Sequence, residues 1–161
     1  MLASGVVVLF CLMLAGCGFR PLYGDVRLSP KLAAIFVDPI EEPAGFELRN
    51  SLIDLLRSDG EQAGKAYRLA ITLTDTNQGV ALQNDATITR YNDTVTANYV
   101  LTDAKGEELR RGSLTSLSSY NVAQSPYATQ VARQDADKRA AQDLAERLSL
   151  ELEVYFRRQR P

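Results

Sequence analysis

Two stretches decide the fold: Tyr67-Arg68-Leu69-Ala70-Ile71-Thr72-Leu73-Thr74 and Thr94-Val95-Thr96-Ala97-Asn98-Tyr99-Val100-Leu101. In the first, Tyr67, Leu69, Ile71 and Leu73 alternate with Arg68, Ala70, Thr72 and Thr74. In the second, Val95, Ala97, Tyr99 and Leu101 alternate with Thr94, Thr96, Asn98 and Val100. Successive side chains of a strand point to opposite faces, so each stretch predicts a strand with one apolar and one largely polar face. Asp103-Ala104-Lys105-Gly106 then reads as a tight turn into a further strand, Glu108 to Tyr120. Leu109 and Leu117 fall on one face of that strand and Leu114 on the other, which predicts a bulge or an edge position. The three form an antiparallel meander of long neighbours.

Upstream, Leu32 to Val37 is a short apolar run closed by Asp38-Pro39, consistent with a buried first strand. From Phe46 to Asp59 the pattern becomes helical: Leu48, Leu52, Leu55 and Leu56 make one apolar stripe, and Gly60 stands where a terminating glycine belongs. Downstream, Ser125-Pro126 suits a helix start, Ser as cap and Pro at the first position. Ala132, Ala136, Ala140, Leu144, Leu148, Leu152 and Phe156 then recur every four residues. Small side chains allow close approach to the sheet along the first half of this helix, and large ones fill a wider gap along the second. The fold class expected is α+β: a two-layer sandwich in the order β-α-β-β-β-α, with a four-stranded mixed sheet and two helices on one face. The crossover rule makes the first two strands parallel. The other sheet face, with Thr72, Thr74, Thr94, Thr96 and Asn98, is left uncovered, to meet either water or another protein.

The amino-terminal end carries a different signal. The apolar run from Val6 to Leu14 is too short for a membrane-crossing helix but has the length of a signal-peptide core. Leu14-Ala15-Gly16-Cys17 closes it and resembles the lipobox of bacterial lipoproteins, which implies cleavage between Gly16 and Cys17 and lipidation of the Cys17 thiol. No Lys or Arg precedes the run. Several acyl chains are needed, because one anchors only marginally, at about 0.8 kcal/mol per buried methylene. Residues 1–16 are thus expected as signal peptide, 17–30 as a lipidated tether, and 31–161 as a single domain. Within the tether, Gly18-Phe19-Arg20-Pro21-Leu22-Tyr23-Gly24 is too rich in Pro and Gly for regular structure. The roughly dozen residues from Cys17 to Ser29 reach about 40 Å at most, which keeps the domain close to its membrane.

Composition removes whole classes of function. The 161 residues carry a formal charge of −2 and no long basic run, which argues against nucleic acid. With no histidine, Ser-His-Asp and Cys-His catalysis are excluded and a zinc site is improbable. Cys11 and Cys17 are the two cysteines, one in the signal and one given to lipid, so the mature chain has no disulfide. There is no phosphate-cradling glycine loop, and neither a catalytic residue nor a cofactor is expected. Asp135 with Asp137, and Glu151 with Glu153, sit two apart on a helix and diverge by about 200°, so they read as a solvated face rather than acid/base pairs. Arg90, Arg110 and Arg111 lie on or beside the meander. They read first as solvated side chains, though guanidinium groups are also what a phosphorylated glycolipid requires.

The lipobox, the Cys17-Gly18-Phe19-Arg20-Pro21-Leu22-Tyr23 start, the β-α-β-β-β-α order and Ser125-Pro126-Tyr127 ahead of the last helix together resemble the LPS-assembly lipoprotein (LptE) family. The resemblance implies a non-enzymatic outer-membrane lipoprotein, anchored by its N-terminal lipid on the periplasmic side. It implies a protein that plugs the lumen of the LPS-translocating β-barrel (LptD-type), helps that barrel assemble and contacts lipopolysaccharide. Gly18 after the lipidated position fits sorting to the outer membrane. Arg90, Arg110 and Arg111 are the candidates for contact with LPS, and Thr72, Thr74, Thr96 and Asn98 those for contact with the barrel. Two alternatives belong to other classes: a generic envelope lipoprotein serving another transport or assembly machine, and a periplasmic hydrolase built on the acidic loop cluster Asp38, Glu41 and Glu42.

Overall fold

The computed structural model describes residues 30–62, 64–82 and 88–159; the signal segment, Cys17 and the tether up to residue 29 lie outside the described residues. The elements are helix α1 (Pro30–Ala33), strand β1 (Ile35–Val37), helix α2 (Pro43–Leu56), strands β2 (Tyr67–Leu82), β3 (Ile88–Asp103) and β4 (Glu108–Asn121), and helix α3 (Pro126–Arg158). The sheet runs β1-β2-β3-β4, with β1 parallel to β2 and the other pairs antiparallel. It is the expected α+β sandwich: a four-stranded mixed sheet with α2 and α3 packed against it.

The alternation that predicted the strands sorts their faces. Leu69, Ile71, Val95, Ala97, Tyr99 and Leu101 are buried beneath the helices, together with Leu48, Leu52 and Leu56 of α2. From α3 come Ala136, Ala140, Leu144, Leu148, Leu152 and Phe156, widened by Ala141 and Ala145. At about 1.5 Å per helical and 3.3 Å per strand residue, the 33 residues of α3 and the 16 of β3 each span roughly 50 Å. The helix thus matches the long strands in length, though residues 74–80 of β2 and most of the first turns of the helix remain exposed.

Four local expectations need correction. The run Leu32–Val37 is strand only at Ile35–Val37, because Pro30 starts a helical turn that buries Leu32 instead. Helix α2 begins at Pro43 and ends before Arg57, not at Asp59: Arg57 takes the left-handed conformation (φ 53°), and the amides of Arg57 and Ser58 return to Asp54 and Ile53. Leu55 leaves the stripe and is partly exposed. Ser125 caps α3 in an extended conformation without a side-chain bond, and Thr129 Oγ1 instead accepts the Ala123 amide and bonds the Ser125 carbonyl.

The irregular pattern of β4 has a single cause. Leu101 pairs with Arg110 and Thr102 with Glu108, so Leu109 is an extra residue bulged out of the ladder. The bulge inverts the face parity, which is how Leu109 and Leu114 both pack on the core while Leu117 stays exposed. The turn before it is held by Asp103, whose Oδ1 accepts the amides of Lys105 and Glu107 while Gly106 takes φ 86°.

Candidate functional site

The uncovered sheet face is assembled from three strands. Thr72 pairs with Asn98 and Asn98 with Ser113; on the next rung Thr74 pairs with Thr96 and Thr96 with Thr115. The four barrel-contact candidates from the sequence thus form two adjacent rungs. Ser113 and Thr115 complete them and were missed, because the bulge at Leu109 hid the parity of β4. Thr76 and Thr94 begin a third rung, ending at Leu117. Neighbouring strands lie about 4.8 Å apart, so these short polar side chains form a regular array able both to donate and to accept. Its members are exposed or half-buried, and Thr96 Oγ1 and Thr115 Oγ1 lie 3.1 Å apart.

The arginine candidates do not converge. Arg90 and Arg111 are on this outer face, but Arg111 pairs with Val100, ten residues along β3 from Arg90, or about 33 Å. Arg90 donates to the neutral Ser119 hydroxyl, and Arg111 is paired with Glu108. Arg110 points to the helix side, where it binds Glu151 and reaches the Tyr99 hydroxyl at 3.4 Å. Burial works to raise the Glu151 carboxyl, yet hydrogen bonds from Arg110 and Tyr99 outweigh it and hold the group below its usual range.

The last strand is a sheet edge, and α3 guards it. Arg147 donates to the Thr115 carbonyl at 2.7 Å and Arg139 to that of Ser119 at 3.3 Å. Eight helical residues rise about 12 Å and four strand residues about 13 Å, so the two spacings match. Carbonyls that would recruit a foreign strand are thereby occupied.

The carboxylate pairs on α3 were expected to be solvated, and half of that is wrong. Asp135 pairs with Arg139 at the surface and the half-buried Glu153 with Arg157, but the divergence within each pair turns Asp137 toward Asp93 and Glu151 toward Arg110 of the sheet. Asp137 joins Asp75 of β2 and Asp93 of β3 beside a 210 Å³ cavity that Glu42, Asp75, Arg133 and Asp137 line. The loop carboxylates of the hydrolase alternative are drawn apart in use: Arg68 grips Asp38 with bonds of 2.8 and 2.9 Å, while Glu42 faces this cavity. Among the described residues no group of carboxylates is placed to hold a metal ion, and no helix is long and apolar enough to cross a membrane.

A family model described as LptE, lipopolysaccharide-assembly, matches residues 32–152. An uncharacterized protein of Rickettsia prowazekii is 27% identical over 152 residues, which cover 93% of this chain and 95% of that one. A crystal structure of a lipoprotein from Caulobacter crescentus superposes with a TM-score of 0.66 at 28% identity, covering 82% of this chain and 96% of that one. The minor lipoprotein of Acinetobacter baumannii shares the fold, with a TM-score of 0.60 at 18% identity over 76% of this chain and 92% of that one.

Proposed function

Since the chain belongs to the LptE lipopolysaccharide-assembly family, whose members are non-enzymatic, we propose that it is an outer-membrane lipoprotein, anchored through Cys17 on the periplasmic side, that plugs and helps assemble the LPS-translocating β-barrel. The supporting observation is the outer sheet face: Thr72-Asn98-Ser113 and Thr74-Thr96-Thr115 lie in register, uncovered by either helix. A barrel lumen wide enough for a domain is polar, because barrel strands alternate apolar-out and polar-in. A Thr/Asn/Ser array lies against such a wall through direct and water-mediated hydrogen bonds, without a hydrophobic interface. Contact with LPS falls first to Arg90, whose partner among the described residues is a neutral hydroxyl; Arg111 must give up Glu108 and Arg110 must give up Glu151 to do the same.

The test is co-purification from outer membranes in mild detergent. The native protein should elute with a β-barrel, and Thr72→Arg with Thr96→Arg should weaken that association while the domain keeps its unfolding midpoint. Depletion should leave the barrel misassembled and LPS held back from the surface. Elution free of any barrel, with surface LPS unchanged after depletion, overturns this reading in favour of a lipoprotein serving another envelope machine.

A further inference from the structure

Among the described residues Asp93 is the one acidic side chain of the core: it is fully buried, and neither of its carboxyl oxygens meets a donor. It faces other acids. From β2 the Asp75 carboxyl lies against it, and from α3 the Asp137 carboxyl, one of whose oxygens is also buried without a donor. Its cross-strand neighbours are neutral: Asn77 on β2, and Ser118 on β4, whose buried hydroxyl also has no partner. The cation whose charge reaches the group is Arg133, 3.6 Å from Asp75, and Glu42 at the start of α2 adds a further negative charge across the cavity. Asp75 is exposed and Asp137 half-buried, but around the fully buried Asp93 three ionised carboxylates against one guanidinium leave excess negative charge that water reaches poorly, at a cost above that of an exposed pair.

We propose that Asp75, Asp93 and Asp137 share a proton and form a clasp between β2, β3 and the first half of α3, closed in mild acid and loosened as the pH rises. A protonated carboxyl supplies the donor that the orphaned oxygens lack and removes one repelling charge, so one proton satisfies both observations. The electrostatics agree: burial first, then the neighbouring Asp93 carboxyl, pushes Asp75 up to about 6 despite Arg133, and burial raises Asp93 as well. Asp75 and Asp93 are coupled and titrate as a pair. A carboxyl whose affinity for protons is higher in the folded domain stabilises it while the fold holds a proton that the unfolded chain has lost. Stability therefore falls as the pH climbs from the ordinary 3.8 through about 6, and levels off above. The clasp does not depend on how the outer sheet face is used.

The absence of histidine makes this measurable, since from about pH 5 to about pH 7.5 ordinary carboxylates are already ionised and no imidazole changes charge. Denaturant midpoints of the full-length protein in detergent should fall across that interval. Asp93→Asn, isosteric and always neutral, should flatten the profile and unfold later than wild type at the upper end; Asp137→Asn should flatten it in part. Carboxyl carbon NMR of the wild-type protein gives a readout independent of any variant: at least one of the three groups should titrate above about pH 5.5. A wild-type midpoint that stays level or rises, an Asp93→Asn profile parallel to wild type, or three carboxyls that all titrate in the ordinary range would each overturn the clasp.

Discussion

Tyr99 faces Gly112 directly across the β3–β4 ladder, and its ring fills the space that a side chain at position 112 would need: a Cβ there would lie 2.7 Å from the Tyr99 hydroxyl oxygen. The bare backbone lets the ring of a fully buried tyrosine lie flat over β4 and deliver its hydroxyl to Arg110. Gly112→Ala should thus displace the ring and destabilise the domain by about 1–3 kcal/mol. Chemical denaturation checks this, with Gly112→Ala in a Tyr99→Leu background as the control that should recover part of the loss.

Arg110 and Arg90 should separate under mutation although both were candidates for LPS. Arg110→Ala removes the partner of Glu151 and of the Tyr99 hydroxyl and should cost about 1 kcal/mol, a modest figure because the ion pair is partly exposed. Arg90→Ala should change stability by less than about 0.5 kcal/mol and lower capture of LPS by the purified protein. Equal loss of LPS capture in the two variants would place the contact elsewhere than proposed.

Glu151 also makes an acid-side prediction. Its carboxyl is held below the ordinary 4.5, so the stability it contributes is complete above that value and disappears as the pH falls through its lowered pKa. The gap in unfolding midpoint between wild type and Glu151→Gln should be open at neutral pH and close in acid. This slope is opposite in sign to that carried by Asp75 and Asp93, and it lies below the ordinary 4.5 whereas theirs extends up to about 6.

Ala136 and Ala140 are both buried where α3 meets its neighbours. Ala136→Leu or Ala140→Leu should overpack that contact and cost roughly 1–3 kcal/mol each. Unchanged midpoints for both would show that this face of the helix has room to spare.

Cys17 should carry lipid in the mature protein. Mass spectrometry of the amino terminus is expected to find a chain that begins at an acylated Cys17; an unmodified cysteine, or an intact segment from Met1, would remove the lipid anchor from the proposed function.

Short-period pattern was enough to determine the order of elements, the parallel β1–β2 pair and the polar outer face. Each of these follows from side-chain periodicity and from the handedness of the chain, which are local properties of Tyr67–Thr74, Thr94–Leu101 and the stripe from Ala132 to Phe156. Tertiary structure decided what depends on register. The broken apolar alternation of β4 announces a bulge or an edge but not where the extra residue sits; its place at Leu109 chooses which side of β4 faces the helices, and with it whether Ser113 and Thr115 join the outer rungs. The position of a terminating residue was likewise open, because Arg57 accepts the left-handed conformation once α2 is packed and Gly60 is not needed for it. Above all, residues two apart on a helix diverge by a fixed angle, but only the docking of α3 says which of each pair turns inward. That docking sent Asp137 to the buried Asp93 and the exposed Asp75, and Glu151 to an arginine, and so gave two similar carboxylates different electrostatic surroundings.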